Sequence, residues 1–227
     1  YSGKIIPINP AGGQILGLDA HKSLREYNGD IDQAILAIPR ESVLDGVKDA
    51  LSQGAKSIVM ITSGFKETGD MGAMMEEEIA LTIKRGGARL LGPNCLGVIN
   101  TGSKLNSSFA GSMPIPGSIS VFSQSGALCT SILDLAKQKT IGLSKLISVG
   151  NKADINENDL LTYFSTDDET DVVIGYLENI VSGKRFIKAA TELSQKKPVV
   201  ILKSGTSQAG QRAAASHTGV LSGADTA

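Results

Sequence analysis

The run SISVFSQSGALCTSILDLAKQ, residues 118–138, decides the fold. Residues 118–122 are rich in β-branched and aromatic types, residues 123–126 form a tight Ser/Gly turn, and residues 127–138 carry helical periodicity. A strand that feeds a helix through so short a turn is one step of a mostly parallel sheet. The same alternation continues on both sides. Downstream, strands are expected at 146–149, 172–177 and 199–202, with helices at 158–164 and 184–195; Phe186, Ala190 and Leu193 share one face of the last helix and should lie against the sheet. Upstream, strands are expected at 4–8, 34–38, 57–62 and 88–91, with helices at 41–53 and 71–85 that stop at Gly54 and Gly86. The upstream strands read apolar throughout, as strands covered on both faces do. Residues 102–117 lose the rhythm and contain Pro114 and Pro116, which places a boundary near 111–117. The expected architecture is α/β, with two consecutive open parallel-sheet domains at 1–112 and 113–227.

Composition agrees with a globular protein. Of 227 residues, 41% are hydrophobic and 20% charged, and 22 Lys+Arg against 23 Asp+Glu leave a net charge of −1. Disorder is excluded as the main state, and there is no chain-wide field to attract nucleic acid or anionic lipid. Every apolar run is far shorter than the ~20 residues that span a bilayer. Cys95 and Cys129 form no CxxC pair, and only His21 and His217 could assist a metal, so no zinc cluster is expected; such sparse cysteine suits the cytoplasm. The chain opens at Tyr1 without Met or a leader and stops at Ala227 without a terminating feature, and so reads as a piece of something longer.

Open parallel sheets bind ligands beyond the carboxyl ends of their strands. There the sequence places Asn9-Pro10, Pro39-Arg40, Thr62-Ser63-Gly64, Gly92-Pro93-Asn94-Cys95, Ser123-Gln124-Ser125-Gly126, Gly150-Asn151-Lys152, Glu178-Asn179 and Lys203-Ser204-Gly205. These residue types also dominate ordinary turns, which is the plain alternative for each. At Ser123–Ala127 a strand opens directly into a helix, whose free N–H groups and positive dipole end suit a phosphoryl group, with the hydroxyls of Ser123 and Ser125 as further donors. Neither GxGxxG nor GxxxxGK[ST] is present, and Ser125 could equally be a helix N-cap only. His217 lies in the small-residue run AAASHTGVLSG. A neutral imidazole can accept a phosphoryl group on one nitrogen if a carboxylate orients the other, and Glu178, at the end of an apolar strand, is the best partner. A loop histidine is also commonly just solvated, and His21 keeps that reading. Cys95 reads as a small apolar side chain rather than a nucleophile. Glu76-Glu77-Glu78 reads as the solvent face of its helix.

Five strings, in order, carry a family resemblance: LLGPNCLGVINT (90–101), SQSGALCTSILD (123–134), ISVGNKADINENDLL (147–161), VVIGYLENI (172–180) and SHTGVLSG (216–223). Together they resemble the α portion of ADP-forming acyl-CoA synthetases, in the succinyl-CoA synthetase superfamily. The resemblance implies a Rossmann-like CoA-binding domain followed by a flavodoxin-like ligase domain. It implies the reaction acyl-CoA + ADP + phosphate ⇌ carboxylic acid + CoA + ATP, through acyl phosphate and phosphohistidine. By position His217 is the phosphorylated histidine and Glu178 the acid that holds it. Ser123, Ser125, Gly126 and Ala127 cradle phosphate, and Thr130 points one turn further toward the acyl group. Asn9, Pro10, Pro39, Thr62, Ser63 and Gly64 contact CoA, and Asn94 and Cys95 lie where its thiol end arrives. The family's opening strand and Gly-rich CoA loop are missing here. So is the ATP-grasp portion that binds ATP/ADP with Mg²⁺, which must come from a partner subunit or fused domain in an oligomer. Two other readings compete: a CoA-sensing region of a protein acyltransferase, and a generic flavodoxin-type nucleotide binder, which the low 4% aromatic content disfavours.

Overall fold

The computed structural model describes residues 1–205. A two-residue hairpin, β1 (Gln14–Ile15) and β2 (Leu18–Asp19), precedes three parallel strands, β3 (Gln33–Leu36), β4 (Ser57–Met60) and β5 (Arg89–Leu91), in that spatial order. Helices α1 (Val43–Ser52) and α2 (Asp70–Arg85) connect them. Each helix buries one stripe, Val43, Val47 and Ala50 in α1 and Ile79 and Ile83 in α2, against Leu36, Ile58, Met60, Phe65 and Leu90. The strand expected at 4–8 does not form. Only an isolated bridge joins Ile8 to His21, because Pro7 lacks the N–H a ladder needs and Ile5 and Ile8 stay exposed.

The second sheet has six strands. A hairpin of β6 (Gly97–Asn100) and β7 (Leu105–Ser108) precedes β8 (Pro116–Ser123), α3 (Gly126–Gln138), β9 (Leu143–Ser148), α4 (Glu157–Phe164), β10 (Val172–Leu177), α5 (Gly183–Ser194) and β11 (Val199–Lys203). The spatial order is β11-β10-β8-β9-β6-β7, parallel from β8 onward and antiparallel at β6 and β7. Sequence pattern did not reveal the hairpin, whose second strand, LNSS, has little strand character alone and is held by its pairing to β6. Sheet membership therefore changes before residue 97, whereas the composition break lies at 111–117. The chain runs from β8 to β9 on one side and then crosses back to β10 on the other. That reversal makes the carboxyl ends of β8 and β10 the switch point of the sheet, the crevice position at which α/β sheets bind ligands.

The two sheets share a core. Val59 and Leu91 from the first pack in one cluster with Phe122, Val149, Leu161, Phe164, Val173, Leu177 and Leu193 of the second, and Phe186 and Ala190 of α5 lie against it as the helical spacing predicts. The segment after β9 is laced onto β5 and the loop beyond it: the N–H groups of Asn151, Ala153 and Ile155 donate to the carbonyls of Pro93, Gly92 and Leu90. Asp154 accepts from Arg89 at 2.8 Å and from Leu90 N at 2.9 Å. Gly150 makes the approach feasible. It has φ +53°, and a Cβ there would lie 2.1 Å from Pro93 O.

One charge reading needs correction at this seam. Glu77 and Glu78 are exposed, but Glu76 is buried, because the i, i+3, i+7 spacing puts it on the inward stripe with Ile79 and Ile83. Its Oε2 accepts from Lys66 N at 3.2 Å and from Asn151 Nδ2 at 2.7 Å, which satisfies a carboxylate that would otherwise be costly to bury.

Candidate active site

The expected site residues assemble into two groups at the carboxyl ends of the two sheets. In the first, Thr62 Oγ1 donates to Ile38 O at 2.7 Å and ties the end of β4 to the loop carrying Pro39. Gly64, at φ +101°, donates its N–H to Glu67 at 2.5 Å and accepts from Arg40 Nη1 at 2.9 Å. Asn94 N donates to Thr62 O at 3.0 Å. Pro39, Ser63 and Asn94 are exposed, and so form the accessible lip. Asn9 and Pro10 sit apart in a turn of their own, where Asn9 Oδ1 accepts from Ala11 N at 2.9 Å.

Cys95 belongs to the core. Its Sγ donates to Met60 O at 3.3 Å, and burial pushes the thiol up to about 12, so Asn94 is the residue of that pair open to a ligand. Cys129 is also buried, and burial pushes it up to about 11 despite hydrogen bonds with Ser123 and Ser148. A Cys95 thiol with that pKa is thiolate in only about one molecule in 10⁴ at pH 8. The native protein should therefore release no thionitrobenzoate from a disulfide reagent at pH 8 within minutes, and two equivalents once denatured; rapid native labelling would contradict this burial.

The second group surrounds the crevice. Ser125 is the N-cap of α3, its Oγ accepting from Leu128 N at 3.3 Å, while the N–H groups of Gly126 and Ala127 open the helix. Ser123 is fully buried, and its Oγ donates to Ser125 O at 2.9 Å and accepts from Ser125 N at 3.0 Å. Its hydroxyl is engaged in shaping the turn from which it is expected to meet phosphate. Thr130 is exposed one turn into α3, its Oγ1 donating back to Gly126 O at 3.3 Å. A Cβ on Gly126 would lie 3.6 Å from Leu96 N, so the helix start adjoins the loop that carries Asn94. Glu178 follows β10 directly on the opposite lip and is 6% exposed. His217 lies outside the described residues.

Several residues that hold this site together were given no role by sequence beyond a place at a strand end. Lys152 and Glu157 form an ion pair at 2.9 Å with both side chains almost wholly buried, and Lys152 occupies left-handed backbone at φ +59°. Lys152 Nζ also donates to Asn179 O at 2.8 Å, and Glu157 Oε1 accepts from Val181 N at 2.7 Å, so the pair grips the backbone just after Glu178. Burial pulls the lysine below its ordinary value, although the Glu157 charge opposes this. Asn151, just after β9 of the second sheet, reaches into the first group: its Nδ2 donates to Glu67 at 2.6 Å and to Glu76 at 2.7 Å, and Asn94 Nδ2 reaches its Oδ1 at 3.3 Å. Burial would raise the Glu67 carboxyl, but the bonds from Asn151 and Gly64 outweigh it and hold the group below its ordinary value. The motif GNKADIN marked these positions as a strand-end turn; nothing in one sequence pairs Lys152 with Glu157.

Among the described residues no helix is long and apolar enough to cross a membrane, and no group of three His, Cys, Asp or Glu side chains could hold a metal. Comparison with known proteins places this geometry. Residues 2–101 match the family described as a CoA binding domain, and residues 116–227 the family described as a succinyl-CoA ligase like flavodoxin domain. The chain is 45% identical to an ADP-forming acetate–CoA ligase of Methanocaldococcus jannaschii over 99% of its own length and 32% of that protein. It is 40% identical to an ADP-forming acetate–CoA ligase I subunit alpha of Pyrococcus furiosus, over 99% of its length and 50% of that subunit. The solved acetyl-coenzyme A synthetase 1 of Ca. Korarchaeum cryptofilum, in complex with phosphate and ADP, superposes with a TM-score of 0.93 at 38% identity, covering 99% of this chain and 48% of that one. The chain thus spans half or less of the length of these relatives. With both of its parts matched in order, the chain joins a CoA binding domain to a succinyl-CoA ligase like flavodoxin domain, the arrangement of the succinyl-CoA ligase family, and along its whole length it is similar to ADP-forming acyl-CoA ligases.

Proposed function

We propose that this chain is the acyl- and phosphoryl-handling part of an ADP-forming acyl-CoA synthetase of the cytoplasm. Acyl-CoA and phosphate give acyl phosphate and CoA, His217 takes the phosphoryl group, and ADP receives it. The observation that carries this reading is the crevice at the sheet's switch point, with the amide-bearing start of α3 on one lip and the Glu178 carboxylate on the other. A phosphate oxygen attacks the thioester carbonyl, and the thiol of CoA leaves with a proton. The N–H groups of Gly126 and Ala127 at the positive end of α3 offset the negative charge that gathers there. An imidazole nitrogen of His217 then attacks phosphorus and the carboxylate departs. Glu178 accepts the hydrogen bond from the other ring nitrogen and stabilises the cation formed.

CoA suits the lip formed by Pro39, Ser63, Gly64 and Asn94. There Arg40 Nε is buried without a partner among the described residues, a vacant donor beside an anionic ligand's path. Nucleotide and Mg²⁺ belong to an ATP-grasp partner, separate or fused. The relative named as a subunit alpha supports such a division of labour. With that partner, acetyl-CoA, ADP and phosphate should yield ATP, and hydroxylamine should trap an acyl hydroxamate when ADP is omitted. Binding of CoA with no ATP formed from acetyl-, branched-chain or aryl-CoA would contradict the proposal and favour a sensing module.

A further inference from the structure

We propose that Gln124 is a positioning residue that sets Glu178 relative to the phosphate-binding start of α3. This rests on the function just proposed. Gln124 stands between Ser123 and Ser125, in the turn that opens α3, yet its carboxamide spans the crevice. Its Oε1 accepts from Glu178 N at 3.0 Å and from Asn179 N at 3.3 Å, and its Nε2 donates to Asn179 Oδ1 at 3.1 Å. The main chain adds a fourth tie, Gln124 N to Tyr176 O at 3.0 Å. From the far side the Lys152–Glu157 pair holds Asn179 O and Val181 N.

The backbone around Glu178 is thus held by Gln124 on one side and by the Lys152–Glu157 pair on the other, and Gln124 refers it to the helix start where phosphate would sit. The two N–H groups it receives lie just past the end of β10 at Leu177, and the Gln124 carboxamide satisfies them there. A neutral amide suits this place: it can accept and donate together, and it adds no charge to a crevice that must admit an anion. A transferred phosphoryl group needs acceptor and donor aligned at once, so a shift of about 1 Å between the lips is enough to cost about 10²-fold in rate.

The test uses the chain joined to its ATP-grasp partner and follows acid-labile phosphate on His217 from ATP in a single turnover, together with KM for CoA and for phosphate. Gln124→Ala should slow labelling about 10²-fold and leave KM for CoA within about twofold, because the CoA lip is untouched. Gln124→Glu keeps the acceptor for both N–H groups and lets the Asn179 amide turn to donate. It should restore most of the labelling rate but raise KM for phosphate, through its added charge. Labelling of Gln124→Ala at the wild-type rate overturns the inference, and so does a Gln124→Glu enzyme as slow as Gln124→Ala. If Gln124→Ala fails to fold, Gln124→Glu decides alone: fast labelling with a raised phosphate KM supports the role, slow labelling overturns it. A wild-type enzyme that takes no label defeats the proposed function itself, whatever Gln124 does.

Discussion

Lys152→Met is expected to lower the stability of the protein by about 3–5 kcal/mol in urea at neutral pH, the cost of leaving one member of a buried pair without the other. Both side chains are shielded from water, 1% exposed for Lys152 and 0% for Glu157. Methionine fills the space of the stem but leaves the Glu157 carboxylate, among the described residues, with Val181 N and the Asn158 amide, and it leaves Asn179 O without the Lys152 donor. Combining Lys152→Met with Glu157→Leu removes both charges, and most of the lost stability should return, since well-packed apolar pairs commonly replace buried ion pairs at little cost. The double variant nonetheless no longer grips residues 179–181. It should stay slow in phosphorylating His217 while melting near the wild type. A single variant that loses less than about 1 kcal/mol would show the pair to be solvated and peripheral.

Glu178→Gln is expected to slow phosphorylation of His217 by on the order of 10²–10⁴-fold, with KM for CoA little changed. The substitution keeps the size of the side chain and the backbone N–H that Gln124 accepts, so the loop stays in place. On the proposed mechanism it removes the negative charge that would hold one tautomer of the imidazole and offset the positive charge formed when phosphorus is attacked. Stability should change far less than in Lys152→Met. Labelling within tenfold of the wild type would mean that another group orients the histidine.

The sequence exposes the large periodic features and conceals the contacts between them. Residues 118–138 carry strand, turn and helix signals in a row, and the structure forms β8 and α3 there with ends shifted by one or two residues. The apolar stripe 186, 190, 193 lies in the shared core for the same reason: spacing alone fixes a helical face. The strand expected at 4–8 fails because apolar residues need a partner strand as well as a pattern, and Pro7 removes a donor. The hairpin β6–β7 is hidden for the converse reason, since the weak local preference of β7 is overridden by its pairing with β6, which β9 in turn pairs.

The site divides in the same way. Strand ends flag Thr62–Gly64, Ser123–Ala127 and Glu178, because an open sheet binds ligands there whatever its sequence. The links between those loops come from tertiary contact alone: Asn151 across to Glu67 and Glu76, Lys152 to Glu157 and Asn179, and Gln124 to Glu178. A charge run read on one helix could not show that Glu76 faces a second sheet, and a Ser/Gly turn could not show that Ser123 spends its hydroxyl on Ser125. Proximity in sequence carries the loops; proximity in space carries their alignment.

The central claim is that one imidazole carries phosphate between acyl group and nucleotide. Phosphopeptide mapping tests it most directly: the full protein with its ATP-grasp partner is treated briefly with ATP and Mg²⁺, digested at alkaline pH and sequenced by mass spectrometry. The account predicts one acid-labile, base-stable phosphate on the peptide holding His217, discharged by acetate with CoA and absent in His217→Ala. Phosphate found on another residue, or full turnover in His217→Ala, would contradict it.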